Sequence, residues 1–123
     1  MTKRMIALAA LTLMGCTSQV ERVTKIWSEG GQSSTEFTDV GEKIKGGKCS
    51  AGSVAGMSAT ICEFGSSDEA AKAQEEGWAL LGGAVGSSVA AGKVVLVIAD
   101  AKKEDPSGRR LNELISSFRK NMR

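Results

Sequence analysis

Cys49 and Cys62 are the first candidates for chemistry in this chain, because a thiolate is both a nucleophile and a metal ligand. Thirteen positions separate them. Redox motifs set their two cysteines two residues apart at a helix start, where the thiolate is stabilised, so this spacing fits a structural disulfide better than an active dithiol. Two thiolates with no histidine also leave a zinc site incomplete. The 123 residues include no His and no Tyr, which removes the commonest general base, the commonest transition-metal ligand and one phenolic acid. Serines are plentiful, yet no triad of the usual kind can be built without a histidine. Asp100, Glu104 and Asp105 bring three carboxylates together, but Lys102 and Lys103 interleave them and Asp105 is placed to cap a helix, so the group reads as a solvated turn. Gly82-Gly83 and Gly86 lack the Lys-Ser/Thr that completes a phosphate-binding loop. The expectation is a non-enzymatic protein with no cofactor and no metal.

Charge narrows the partners. The net charge of +2 comes wholly from Lys3 and Arg4, and the remainder has 14 basic and 14 acidic residues. Such a balance gives no electrostatic footprint for DNA or RNA, so no nucleic-acid partner is expected.

Thr2-Lys3-Arg4 is a short basic region, and Met5 to Met14 is an uncharged, mostly apolar run ending at the small residue Gly15. That order is the grammar of a secretory signal. Its ten residues would cover about half of a bilayer as a helix, since spanning takes about 20. The next positions, Leu13-Met14-Gly15-Cys16, resemble the lipobox of bacterial lipoproteins: an aliphatic residue, a tolerant position, a small residue, then cysteine. The resemblance covers residues 1 to 16, and Met14 is bulkier than the residue usual at its place. It implies that residues 1–15 are a signal peptide removed by a dedicated peptidase, that Cys16 carries a diacylglycerol on its sulfur, and that its new amino group receives a further acyl chain such as palmitate. Each buried CH₂ contributes about 0.8 kcal/mol, so two or three chains anchor firmly. In that family an Asp after the cysteine favours inner-membrane retention; Thr17 stands there instead, which points to the outer membrane. With Cys16 assigned to lipid, Cys49 and Cys62 remain as one pair. The mature part, 16–123, is long enough for one domain with a modest core.

The stretch 48–64 reads as a hairpin. If Ala55-Gly56 is a two-residue turn, Val54 pairs with Met57, Gly52 with Ala59, and Cys49 falls opposite Cys62. Counting outward from the turn, that cysteine pair is a non-hydrogen-bonded one, where the two Cα atoms come close enough for a disulfide. Export to an oxidising compartment permits the bond.

The other elements must frame this hairpin. Ser18 and Glu21 have capping-box spacing ahead of a short helix with Val20, Val23 and Trp27 on one face, stopped at Gly30-Gly31. Residues 28–48 are rich in Gly, Ser, Thr and charge, with Phe37, Val40 and Ile44 as anchors, and read mostly as loop. Ser66 and Glu69 cap a second helix whose Ala70, Ala73, Gly77, Trp78 and Leu81 share a face, ended by Gly82-Gly83. Val94 to Ala99 is a strand buried on both faces at the centre of a sheet, and Val85 to Ala91 is a weaker strand or turn. Asp105-Pro106 starts a third helix with Leu111, Leu114, Ile115, Phe118 and Met122 on its apolar stripe. The fold class is therefore α+β: a small antiparallel or mixed sheet, built on hairpin 48–64 and strand 94–99, covered by about three helices.

Three functional expectations follow. The first is a lipid-anchored envelope lipoprotein of the outer membrane, a non-catalytic binding or structural module with the membrane and another envelope component as partners. The second is a periplasmic thiol/disulfide-active or other enzyme using Cys49 and Cys62. The third rests on the uncharged run 77–92, whose Gly82 and Gly86 have small-xxx-small spacing and which resembles the glycine-zipper stretches of some envelope lipoproteins; on it, 77–99 would insert in a membrane. Five glycines, Lys93 and the β-branched run that follows weigh against insertion.

Overall fold

The computed structural model describes residues 18–122. Residues 1–16, read as a signal and lipobox, lie outside that range. In chain order the elements are α1 (Gln19–Glu29), β1 (Thr38–Gly41), β2 (Lys48–Val54), β3 (Met57–Glu63), α2 (Ser67–Gly77), a short 3₁₀ turn (Trp78–Leu81), β4 (Gly86–Ala91), β5 (Val94–Ala99) and α3 (Arg109–Asn121). The strands form one antiparallel sheet in the order β1-β2-β3-β5-β4, so the α+β class holds and the sheet has no parallel pair.

The β2–β3 hairpin has the expected register, from Val54 opposite Met57 at the turn to Cys49 opposite Cys62. Ala55 and Gly56 both have positive φ, 50° and 83°, the signature of a type I′ turn, whose twist matches that of the strands it joins. The β4–β5 hairpin also closes through two residues, Gly92 and Lys93, with Gly92 at φ 59°.

Strand alternation sorts the side chains into two cores. Met57, Ala59, Ile61, Val94, Leu96 and Ile98 face Val23 and Trp27 of α1 and Leu111, Leu114, Ile115 and Phe118 of α3. Cys49, Cys62, Val95 and Val97 face the other way, against Ala70 and Ala73 of α2, Ile44 and Phe64. Every residue of β5 is buried, because helices cover both of its faces. It lies one place off the sheet's middle, which β3 holds.

Of four local expectations, two are sharpened and two corrected. The largely loop stretch 28–48 includes an edge strand, Thr38–Gly41, which pairs with β2 and is bulged where Asp39 Oδ1 accepts the N–H of Gly41 at 2.8 Å. Ser33 and Thr35 continue this edge through backbone bonds to Ala55 and Ser53. The segment between 85 and 91 is a full strand, β4. Trp78 does not share the packed face of Ala70, Ala73 and Gly77 but is 46% exposed, because at 100° per residue it stands about 100° round the helix from Gly77.

The fourth concerns α3, which starts at Arg109 rather than at Pro106. A turn closed by the Gly108 N–H on the Asp105 carbonyl, with Gly108 at φ 73°, keeps residues 105–108 out of the helix. Asp105 still caps it: Oδ2 accepts the N–H groups of Arg110 at 2.8 Å and Leu111 at 3.3 Å. Those are the N2 and N3 donors that an N-cap residue would satisfy, reached here from three residues further back.

Candidate functional site

The lipid-attachment candidate, Cys16, lies two residues before Ser18, outside the described range. Ser18 itself is the N-cap of α1, its Oγ accepting the Glu21 N–H at 3.1 Å. Chain geometry keeps the Cα atoms of Cys16 and Ser18 within ~7 Å of each other, so a group on Cys16 would be held close to the N-cap of α1.

Cys49 and Cys62 are disulfide-bonded across β2 and β3, with Cα atoms 4.0 Å apart. Both are 0% exposed, closed in by Ile44, Phe64, Ala70 and Val95. Thiol–disulfide exchange needs an incoming thiolate to reach a sulfur, so in the folded domain this bond serves as a staple.

The three carboxylates are not equivalent. Asp100 is 5% exposed rather than solvated, and its two oxygens accept the N–H groups of Glu104 at 2.9 Å and Asp105 at 2.8 Å. It organises the β5–α3 connection. Asp105 combines the two helix N–H bonds with a hydroxyl bond from Ser107 at 3.1 Å. Desolvation alone would raise its pKa, but those hydrogen bonds and the Arg110 charge outweigh it and hold the carboxyl below its ordinary value. All of these contacts stabilise chain direction. Among the described residues no three His, Cys, Asp or Glu side chains are arranged to hold a metal ion.

Two surface grooves accompany the α1/α3 face. The larger, about 820 Å³, runs along α3 beside the end of α1 and is lined by Gln32, Arg109, Asn112, Glu113, Ser117 and Lys120. At its base the Trp27 indole N–H donates to the Leu114 carbonyl at 3.0 Å, tying α1 to α3. The smaller, about 440 Å³, lies between the start of α1 and β1–β2, with Glu21, Glu36, Asp39 and Glu63 around Lys48 and Phe37. Phe37 covers Gly52, where a Cβ would meet its ring at 2.7 Å.

The run 77–92 divides between the end of α2, the 3₁₀ turn, a Gly-Gly loop and β4. No helix among the described residues is long and apolar enough to cross a membrane. Gly77 allows α2 to sit close on β4, where Ser88 Oγ donates to the Gln74 carbonyl and the Ala90 N–H donates to Gln74 Oε1 at 2.7 Å. That contact occupies the Ala90 N–H on the β4 edge, while the opposite edge, β1 with its continuation through Ser33 and Thr35, is bulged between Asp39 and Gly41. Apolar side chains are instead exposed at the loop: Trp78 at 46%, Leu80 at 39% and Val85 at 66%. The sequence reading missed the exposure of Trp78 by grouping it with Ala70, Ala73 and Gly77, from which helical spacing separates it by about 80° or more. The chain matches no known family model, no curated protein and no solved structure.

Proposed function

We propose that the chain is the precursor of an envelope lipoprotein, cut before Cys16, lipidated on that residue and anchored in the outer membrane, with a non-catalytic mature domain that binds another envelope component. The observation that carries this reading is the run Leu13-Met14-Gly15-Cys16, closing an uncharged, mostly apolar stretch behind a basic region, two positions ahead of the Ser18 N-cap of α1. The stapled hairpin agrees with it, because a disulfide belongs to an oxidising compartment. A thiol-active role is disfavoured by the complete burial of both sulfurs.

The test is intact mass and radiolabelled-palmitate incorporation for the full chain expressed in a Gram-negative host, beside Cys16→Ser. The wild type is expected to lose residues 1–15, gain diacylglyceryl and acyl mass, and sediment with outer membranes, whereas Cys16→Ser takes up no label and keeps its signal or leaves the membrane fraction. A mature protein that still carries residues 1–15, or wild type and Cys16→Ser that fractionate alike, overturns the proposal.

A further inference from the structure

The core that holds the Cys49–Cys62 bond is closed by two unequal covers. α2 packs on β4 and β5, where Gln74 bonds Ser88 and Ala90, whereas the two sulfurs belong to β2 and β3. The buried residues that join the sulfurs from outside the strands and α2 are Phe64 and Ile44. Phe64 is fastened to the sheet, since its N–H donates to the Lys93 carbonyl at 2.8 Å. Ile44 is 2% exposed and is the one apolar side chain of residues 42–47, the loop from β1 to β2, in which Glu42, Lys43, Lys45 and Gly46 are exposed. Among the described residues, the hydrogen bonds of this loop are internal: the Gly46 N–H donates to Glu42 Oε2 at 2.8 Å and the Gly47 N–H to the Ile44 carbonyl at 2.9 Å. The loop can therefore swing as a unit without giving up a bond to the rest of the domain. Gly41 and Gly46, at φ 82° and 85°, stand at its two ends, and a Cβ at either would meet nothing within 4 Å. Hinges are a few loop positions that absorb a dihedral change, and a segment with few buried apolar contacts opens more easily than the core beneath it.

We infer that residues 42–47 form a lid over the disulfide, with Ile44 as its plug, and that this lid decides whether a dithiol reaches the bond. With the lid withdrawn, one thiolate of the dithiol attacks a cysteine sulfur, forming a mixed disulfide and releasing the other cysteine as a thiolate. The second thiolate of the dithiol then closes on the first to give a cyclic disulfide and frees the second cysteine, so two electrons pass from the dithiol to the protein. In reverse, the same path installs the bond, with a disulfide-bearing oxidant acting before Ile44 seats. The α1/α3 core takes no part, because it lies on the opposite face of the sheet.

The test follows reduction of the purified full chain by dithiothreitol, with alkylated Cys49 and Cys62 counted by peptide mass, against urea concentration. Amide exchange at Leu96, in the middle of β5, reports global opening in the same solutions. In the wild type, reduction is expected to rise with urea in step with exchange at Leu96. In Ile44→Ala it is expected to be roughly ten-fold or more faster without urea and flat up to the unfolding transition, since swinging a lid exposes little surface. Gly47→Ala, whose Cβ would press on the Phe64 ring at 2.6 Å, is expected to behave in the same way and carries the test should Ile44→Ala not fold. Val23→Ala removes buried apolar atoms from the opposite core and leaves the lid untouched, so it should keep the urea dependence of the wild type. Reduction of the lid variants that climbs with urea as exchange at Leu96 does, or reduction of Val23→Ala that turns flat as well, overturns the inference.

Discussion

The β2–β3 and β4–β5 hairpins close through turns of equal length and are held by different physics. Both contain a strand of small side chains, Cys49-Ser50-Ala51-Gly52-Ser53 in β2 and Gly86-Ser87-Ser88 in β4, with little apolar area to bury. In the first, the shortfall is met by a covalent bond between facing residues and by Phe37 laid over Gly52. In the second, it is met by a helix seated close on the strand, through Gly77 and the two bonds to Gln74. A strand of small residues thus needs an outside support, and the kind of support decides what breaks it.

The largest effect is expected from removing the staple. Cys49→Ala with Cys62→Ala frees a loop whose closure contributes about 3 kcal/mol on the chain-entropy model. For a domain of this size that is a fall in Tm of roughly 10 °C or more by calorimetry. In the wild type, dithiothreitol without denaturant should leave the bond intact, since both sulfurs are buried, and reduce it only on unfolding. Rapid reduction of the native domain would refute the account of the first hairpin. Gly86→Ala attacks the second hairpin instead: a Cβ there runs into the Ile98 carbonyl and comes within 2.8 Å of the Ala99 Cα. Backbone cannot swing aside as a side chain can, so a loss of about 1–3 kcal/mol is expected in urea unfolding. An unchanged midpoint would show that the β4–β5 seam is looser than described.

The same contrast explains what could be read from the residues alone. The register of β2–β3 was legible because the cysteine pair and the turn constrain it independently, and β5 because six consecutive aliphatic residues can only be interior. β1 was not legible: Thr38-Asp39-Val40-Gly41 has no strand pattern of its own and becomes a strand by bonding to the edge of β2. β4 was read weakly for a related cause, since its support comes from Gln74, twelve residues before it begins. Of the functional features, the resemblance to a lipobox is purely a matter of sequence. The exposure of Trp78 was legible in principle, since at 100° per residue it stands apart from Ala70, Ala73 and Gly77, whereas that of Leu80 and Val85 depends on how the connection folds back onto β4.

A smaller and opposite effect is expected at the first turn. Ala55 holds φ 50°, a conformation that costs a non-glycine residue about 1–2 kcal/mol. Ala55→Gly removes that cost and adds back about 0.4–1 kcal/mol of unfolded-state entropy. The net is a stabilisation of roughly 0.5–1 kcal/mol, seen as a higher denaturation midpoint. A destabilised variant would mean that the half-buried Ala55 methyl contributes more by packing than its backbone costs.

The smallest effect is acid-dependent and separates the two hairpins at their turns. Arg110 donates its backbone N–H to Asp105 and its guanidinium Nη1 to the Ala55 carbonyl at 3.0 Å, so the cap of α3 also ties down the Ala55-Gly56 turn. No corresponding carboxylate serves the Gly92-Lys93 turn among the described contacts. The folded pKa of Asp105 lies below its unfolded value, so the ionised carboxylate stabilises the fold fully above about pH 4 and that contribution is lost as pH falls through the lower, folded pKa. Asp105→Asn keeps an acceptor oxygen but cannot titrate. The stability gap between wild type and Asp105→Asn should therefore narrow between pH 6 and pH 3, and amide exchange in the wild type should quicken at Ala55 and Gly56 relative to Gly92 and Lys93 over the same range. A gap that stays constant with pH would mean that the capping carboxylate is not what fastens α3 to the stapled hairpin, and that Arg110 holds the turn without it.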